Sequence, residues 1–227
     1  MCGRIVWIWD AATGTLVRKI VDDPERDPAV AHVLRKRRYN VPPASHLPVI
    51  DGRGAPQMTV AKWGFPIPQR PNGVFNTRIE TALESPMWRG LVGQSHCLWP
   101  VAGFYEWRRG KRRTPFFIHR ADGDPMLIAG VVQDRAWHGE AKTFGSMLTC
   151  APNAAMAGVH DRMPVVIEPD DARAWLQADV DTALGLAVPA ADDVLTMHRV
   201  GPGVGDTKND HAELMEPVKN QGLGAFT

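Results

Sequence analysis

The residue with the most reactive potential stands at position 2. The chain opens Met1-Cys2-Gly3-Arg4, and removal of Met1 ahead of so small a residue leaves Cys2 with an α-amine and a thiol on adjacent carbons. The α-amine has a reference pKa of about 7.7–8.0 and the thiol about 8.5, so an appreciable share of the amine is neutral and nucleophilic at physiological pH. Two chemistries follow. The thiol can attack an acyl carbon with the amine as base, as in N-terminal nucleophile hydrolases. Alternatively, amine and thiol attack one aldehyde in turn, giving a Schiff base that closes to a five-membered thiazolidine. Against both stands the plain reading of Cys2 as a small apolar residue on an edge strand.

Three other clusters mix reactive groups. Asn76-Thr77-Arg78-Ile79-Glu80-Thr81 puts an amide, a guanidinium and a carboxylate within one short run. Gly103-Phe104-Tyr105-Glu106-Trp107 sets a carboxylate in an aromatic strand, with Phe104 and Glu106 on one face and Tyr105 and Trp107 on the other. Aromatic surroundings raise a carboxyl pKa by desolvation, which suits Glu106 to general acid work; a surface ion pair with a nearby arginine is its structural alternative. Val159-His160-Asp161-Arg162-Met163-Pro164 offers His160 as a proton shuttle, with a merely structural or exposed histidine as the competing reading.

These groups need a scaffold. Gly and Pro number 21 and 19, and such punctuation breaks the chain into short elements. Strands are predicted at Gly3–Trp9, Met58–Trp63, His96–Leu98, Gly103–Trp107, Phe116–His119, Leu127–Val132, Phe144–Thr149, Val165–Ile167 and Val194–Arg199. Arg108–Arg113 reads as a hairpin loop. Helices are predicted at Asp170–Ala178, where Pro169 and the acidic pair Asp170 and Asp171 suit a first turn, and at Pro28–Arg37 and Arg78–Arg89. The fold class is α+β, a single domain over residues 1–227, mostly antiparallel sheet curled into a barrel- or sandwich-like core with a few short helices.

Six ordered segments together resemble a known family, the SRAP-domain proteins (SOS-response-associated peptidase-like, or abasic-site processing proteins). They are Met1–Arg4, Arg38-Tyr39-Asn40-Val41-Pro42-Pro43, Trp63–Pro68, Asn76–Thr81, Cys97–Trp107 and Val159–Pro164. The resemblance runs from Cys2 to about Pro217. It departs at Thr77, where Ala is more usual, at Phe65 and Pro66, and at Gly130-Val131-Val132, which lacks an expected tryptophan. The resemblance implies covalent capture of abasic sites in single-stranded DNA, with Cys2 closing a thiazolidine on the open-chain sugar aldehyde. By the same resemblance, Asn76 positions the Cys2 terminus or the opened sugar. Glu106 moves protons during ring opening and crosslink formation or reversal, and His160 assists Schiff-base formation and lyase-type strand cleavage. Arg4, Arg78 and Arg162 are implied phosphate contacts, and Asn40, Pro42, Pro43 and Trp63 belong to the DNA-binding surface as positioning, stacking or wedge groups.

Composition narrows the alternatives. The 26 basic and 25 acidic groups nearly cancel, yet they are not evenly spread. Arg35-Lys36-Arg37-Arg38, and Arg108, Arg109, Lys111, Arg112 and Arg113, are basic runs beside aromatics and prolines. Pro169–Asp193 is acidic, with Arg173 its one cation. Basic surface interleaved with aromatics is what single-strand binding needs. Eight Trp, seven Phe and two Tyr exclude a disordered chain. Three cysteines without paired spacing point to reduced thiols and a cytoplasmic setting. No signal segment, membrane span, metal-ligand spacing or organic cofactor is implied, and the expected partner is DNA bound by a monomer. Two other function classes stay open on the sequence: a Cys2-dependent hydrolase or autopeptidase, and a non-enzymatic single-strand binding module.

Overall fold

The computed structural model describes residues 3–67, 70–110, 113–137 and 139–218. Along the chain run β1 (Ile5–Trp7), α1 (Ala11–Arg18), α2 (Pro28–Leu34), β2 (Arg38–Val41), β3 (His46–Asp51) and β4 (Gln57–Trp63). A small hairpin of β5 (Phe65–Ile67) and β6 (Arg70–Val74) precedes β7 (Asn76–Arg78) and α3 (Ile79–Ala82). The long strands follow: β8 (His96–Val101), β9 (Gly103–Arg108), β10 (Thr114–Arg120), β11 (Met126–Trp137) and β12 (Glu140–Cys150). The remainder is α4 (Ala154–Ala157), β13 (Met163–Pro164), β14 (Val166–Ile167), α5 (Ala172–Leu176), α6 (Val180–Leu186) and β15 (Leu195–Arg199).

Five of these strands close on themselves. β3 pairs with β4, β4 with β12, β12 with β11, β11 with β8, and β8 returns to β3. The β4–β12 pair is parallel and the others are antiparallel. Closure removes the exposed edges that a flat sheet of these apolar strands would present. Inside, Trp99 is 1% exposed and lies over two glycines of neighbouring strands. A Cβ on Gly130 would sit 2.4 Å from Trp99 Nε1, and one on Gly145 would sit 2.5 Å from its ring. Gly130 thus yields space for an indole that β8 supplies.

A second sheet, ordered β15-β10-β9-β1-β2, stacks against the barrel. Its alternation divides the core in two: Ile5, Trp7 and Phe104 join the main cluster, while Val6, Tyr105 and Phe117 pack under the closing segment with Val200, Val204 and Leu214. That segment is tied down by Asn40, whose side-chain amide donates to the carbonyls of Val204, Asp206 and Asn209 at 3.0–3.1 Å. Asp210 returns the contact by accepting from the backbone N–H groups of Tyr39 and Asn40 and pairing with Arg38 at 2.6 Å.

The predicted strands all appear, with ends shifted by a few residues. Helical content is distributed differently. Pro28 starts α2 as expected, with Asp27 capping Ala29 N–H, but the helix stops at Leu34. The span predicted from Arg78 to Arg89 holds only the single turn of α3 followed by turns. Asp170–Ala178 resolves into a 3₁₀ turn at Pro169–Asp171 and α5, anchored by buried Trp175, whose indole N–H donates to Cys97 O at 3.0 Å. No helix among the described residues is long and apolar enough to cross a membrane.

Candidate active site

The site forms where the two sheets meet. Glu106 comes from β9 in the second sheet, on the face that Phe104 buries. His160 comes from the barrel side, on the turn between α4 and β13, where its backbone N–H is held by Met156 O at 3.0 Å. Nε2 of His160 lies 3.8 Å from Oε1 of Glu106, and both side chains are 7% exposed. Strand pairing alone brings neither to the other, because Glu106 lies on a strand of the second sheet and His160 on a turn beside the barrel.

The ring's second nitrogen has two competing neighbours. Nδ1 accepts the Arg162 backbone N–H at 3.0 Å and lies 2.9 Å from an Asp161 carboxylate oxygen. With Nδ1 accepting, the neutral ring carries its proton on Nε2, towards Glu106. With Nδ1 protonated, Asp161 stabilises that proton. The imidazole can therefore receive or release a proton at either end, and 3.8 Å from Glu106 is one short closure or one bridging water from transfer.

Arg162 fixes this loop. Its guanidinium binds Glu80 bidentately at 2.8 and 2.7 Å and also donates to Thr149 O at 2.6 Å. One side chain thereby joins the His160 loop, α3 and the end of β12. The Arg162 hydrogen bonds hold the Glu80 carboxyl below its ordinary range, against the smaller opposing effect of burial. A depressed folded pKa contributes stability above the unfolded value and loses it as pH falls. We expect wild type to lose stability relative to Glu80→Gln as pH drops below about 4.3, with a constant difference above pH 6. Melting temperatures across pH 3–7 test this, and parallel curves would contradict it.

β7 lies alongside the same end of β12, with Asn76 opposite Met147 and Arg78 opposite Thr149. Thr77 points the other way and is buried, its hydroxyl 2.9 Å from Ser146 Oγ. Asn76 and Arg78 therefore share the outward face, and Arg78 is exposed. On the other side of the seam, Ile5 stands opposite Phe104, and Tyr105 N–H donates to Arg4 O at 2.9 Å. Extending that register sets Gly3 beside Glu106. Cys2 itself lies outside the described residues, as do Lys111 and Arg112 of the second basic run. The other two cysteines are buried, which pushes the Cys97 thiol up and the Cys150 thiol to about 11. Neither is a thiolate at neutral pH, so neither is a candidate nucleophile.

The family described as SOS response associated peptidase (SRAP) matches residues 1–207. The chain belongs to the SRAP family. It is 30% identical over 190 residues to the abasic site processing protein YedK of Escherichia coli, a match covering 80% of this chain and 85% of that one. The abasic site processing protein YoaM of Bacillus subtilis is 28% identical over 190 residues, covering 78% and 84%. The crystal structure of a protein from Bacteroides thetaiotaomicron superposes with a TM-score of 0.81 at 18% identity, over 96% of this chain and all of that one, which shows a shared fold.

This SRAP chain uses some of the expected DNA-facing residues elsewhere. Trp63 is fully buried, with its indole N–H donating to Phe75 O at 2.9 Å and its ring edge-on to Phe75. No face of it is open to stack on a base. Asn40 is likewise fully buried and occupied by the closing segment, and Pro43 is buried while Pro42 is half-exposed. Arg162 is engaged by Glu80 and Thr149, so a phosphate would have to displace a bidentate pair. Arg78 and half-buried Arg4 remain, together with exposed Arg109 and Arg113 and with Arg108, whose guanidinium lies 5.2 Å from the Phe116 ring centroid. Sequence reading gave no role to Glu80, Thr149, Asp161 or Asp210. Glu80 and Asp161 stood inside the quoted motifs, and Asp210 in the segment where the resemblance closes, from Lys208 to Pro217; its contact with Tyr39, 171 residues away, had no local signal. Among the described residues no group of three or more His, Cys, Asp or Glu is placed to hold a metal ion.

Proposed function

We propose that this SRAP protein processes abasic sites in single-stranded DNA by covalent capture at Cys2. Once Met1 is removed, the α-amine adds to the open-chain aldehyde of the lesion, and loss of one water gives the Schiff base. The Cys2 thiol then adds to the imine carbon and closes the thiazolidine, its proton passing to the nitrogen. Formation and reversal both need a group that donates and accepts protons beside the aldehyde carbon. The observation that carries this reading is the Glu106–His160 pair, buried at the sheet seam where the chain enters past Gly3. The relatives' names, which specify abasic site processing, support the substrate.

Within this scheme, Glu106 protonates the leaving oxygen as the sugar ring opens and as water departs. His160 takes the proton from the amine and, after Schiff-base formation, removes the proton whose loss drives β-elimination. Asn76 orients the opened sugar, and Arg78 and Arg4 hold flanking phosphates as planar or half-buried cations. The aldehyde, rather than base identity, provides selectivity. A test compares an oligonucleotide bearing one abasic site with the same strand intact: an adduct surviving denaturation is expected with the first alone. Cleavage of unrelated peptides dependent on Cys2, with no DNA adduct, would favour a hydrolase instead.

A further inference from the structure

The imidazole of His160 has two ring nitrogens, and the capture chemistry needs its proton on one of them in particular. Nε2 faces Oε1 of Glu106 across 3.8 Å. When Glu106 holds the proton that it delivers to the leaving oxygen, a second proton on Nε2 would point at the first. The neutral ring's own proton then belongs on Nδ1, and Nε2 is the nitrogen able to take a proton from the amine.

Two groups contest Nδ1. The Arg162 backbone N–H donates to it from 3.0 Å, which favours the opposite tautomer. The Asp161 carboxylate lies 2.9 Å away and favours a proton on that nitrogen. A hydrogen bond to a charged acceptor is roughly twice as strong as one between neutral groups, so the carboxylate has the advantage. Its exposure tempers that advantage: the Asp161 side chain is 67% exposed, whereas His160 is 7% exposed.

The neighbouring charges do not take over the role of Asp161. Glu106, from β9, faces the far nitrogen. The Arg162 guanidinium is turned to Glu80 and Thr149. Partial desolvation pushes the Asp161 carboxyl up, and the charges of His160 and Arg109 lead the opposing effects that hold it below its ordinary range. Asp161 is therefore an anion at neutral pH.

We propose that Asp161 is a positioning residue for the capture chemistry: it holds the ring proton of neutral His160 on Nδ1 and so makes Nε2 the base. When Nε2 accepts the proton released by the amine, both nitrogens carry one, and the imidazolium charge lies against the Asp161 carboxylate. Loss of the Nε2 proton to water restores the neutral ring with its proton still on Nδ1. Asp161 acts through His160 and exchanges no proton with the substrate. This inference rests on the covalent-capture reading and assigns, within it, the nitrogen that works.

The test makes two measurements on wild type and on Asp161→Asn, an exposed substitution that keeps the side chain's size. The first is nitrogen NMR of protein isotopically labelled at histidine, with His160→Gln to assign the ring. At pH 8, His160 is expected as the Nδ1–H tautomer in wild type and shifted towards Nε2–H in Asp161→Asn. The second is the single-turnover adduct rate with saturating abasic strand from pH 5 to pH 8. The Asp161→Asn rate is expected to fall by up to about fivefold at pH 8, the upper end for one exposed ion pair. That deficit shrinks towards pH 5, because a ring without its carboxylate is also harder to protonate. Titration of the amine is common to both proteins and cancels in their ratio, and a loss of loop geometry alone would give the same deficit at every pH. An Nε2–H ring in wild type, or a rate ratio constant with pH, overturns the role of Asp161 while leaving capture intact. If wild type forms no adduct at any pH, the capture reading falls, and the tautomer comparison still decides whether Asp161 sets the proton on His160.

Discussion

Glu106→Gln in the mature protein is expected to slow adduct formation on abasic DNA by roughly 100- to 10,000-fold, the usual contribution of a positioned general acid–base. The substitution keeps the shape of a side chain that is 7% exposed and removes its capacity to transfer protons. Strand affinity should change little, because Glu106 is a buried carboxyl that faces His160 across 3.8 Å and not a phosphate contact. His160→Ala should lower the rate by a similar factor, and the double variant should be scarcely slower than either single one. Groups that act as one unit fail together, and their losses do not add. Single-turnover time courses on denaturing gels measure this. A Glu106→Gln rate within twofold of wild type would remove Glu106 from the chemistry, and fully additive losses would separate it from His160.

Asn40→Leu is the largest stability change the structure predicts outside the barrel core. The amide holds three carbonyls of the closing segment at 3.0–3.1 Å, and its residue has no solvent exposure. Losing those contacts, with carbonyls left facing an apolar side chain, costs about 2–4 kcal/mol. For a chain of this size that corresponds to a fall in Tm of roughly 5–15 °C. Residues 202–218 should lose protection from hydrogen exchange before the barrel strands do. An unchanged Tm with full protection in that segment would show that Asp210 alone fastens it. Because Asn40 lies in a motif that the family resemblance assigned to DNA, the outcome also separates a structural role from a binding one: pure loss of strand affinity at normal Tm would favour the latter.

The barrel was legible because its strands carry their own signal. Runs such as Met126–Val132 and Phe144–Thr149 are apolar and β-branched enough that no other element suits them. β2 and β3 have no counterpart among the predicted strands, since Arg38 continues a basic run and Pro48 interrupts the second. Strand Arg38–Val41 is held by long-range partners, Asp210 above all, that local pattern cannot reveal. α1 was missed for a related reason. Its Thr and Gly content is poor for helices, and it exists through the Asp10 cap on Thr13 N–H and the burial of Leu16 and Val17.

The candidate site was legible as a set of residue types and not as an arrangement. Glu106 and His160 stood out individually, and the structure brings them together. The family resemblance implies a stacking role for Trp63; its burial against Phe75 depends on β4 entering the barrel wall. The resemblance likewise implies a phosphate contact for Arg162. Glu80, contributed by the turn after β7, takes both arms of its fork.

Intact mass spectrometry of the product formed with an abasic oligonucleotide, without any reductant, tests the covalent claim most directly. The account predicts one species whose mass equals the protein lacking Met1 plus the oligonucleotide minus one water, absent in Cys2→Ala. The same adduct from Cys2→Ala, or an adduct that persists only after borohydride trapping, would contradict a thiazolidine at Cys2.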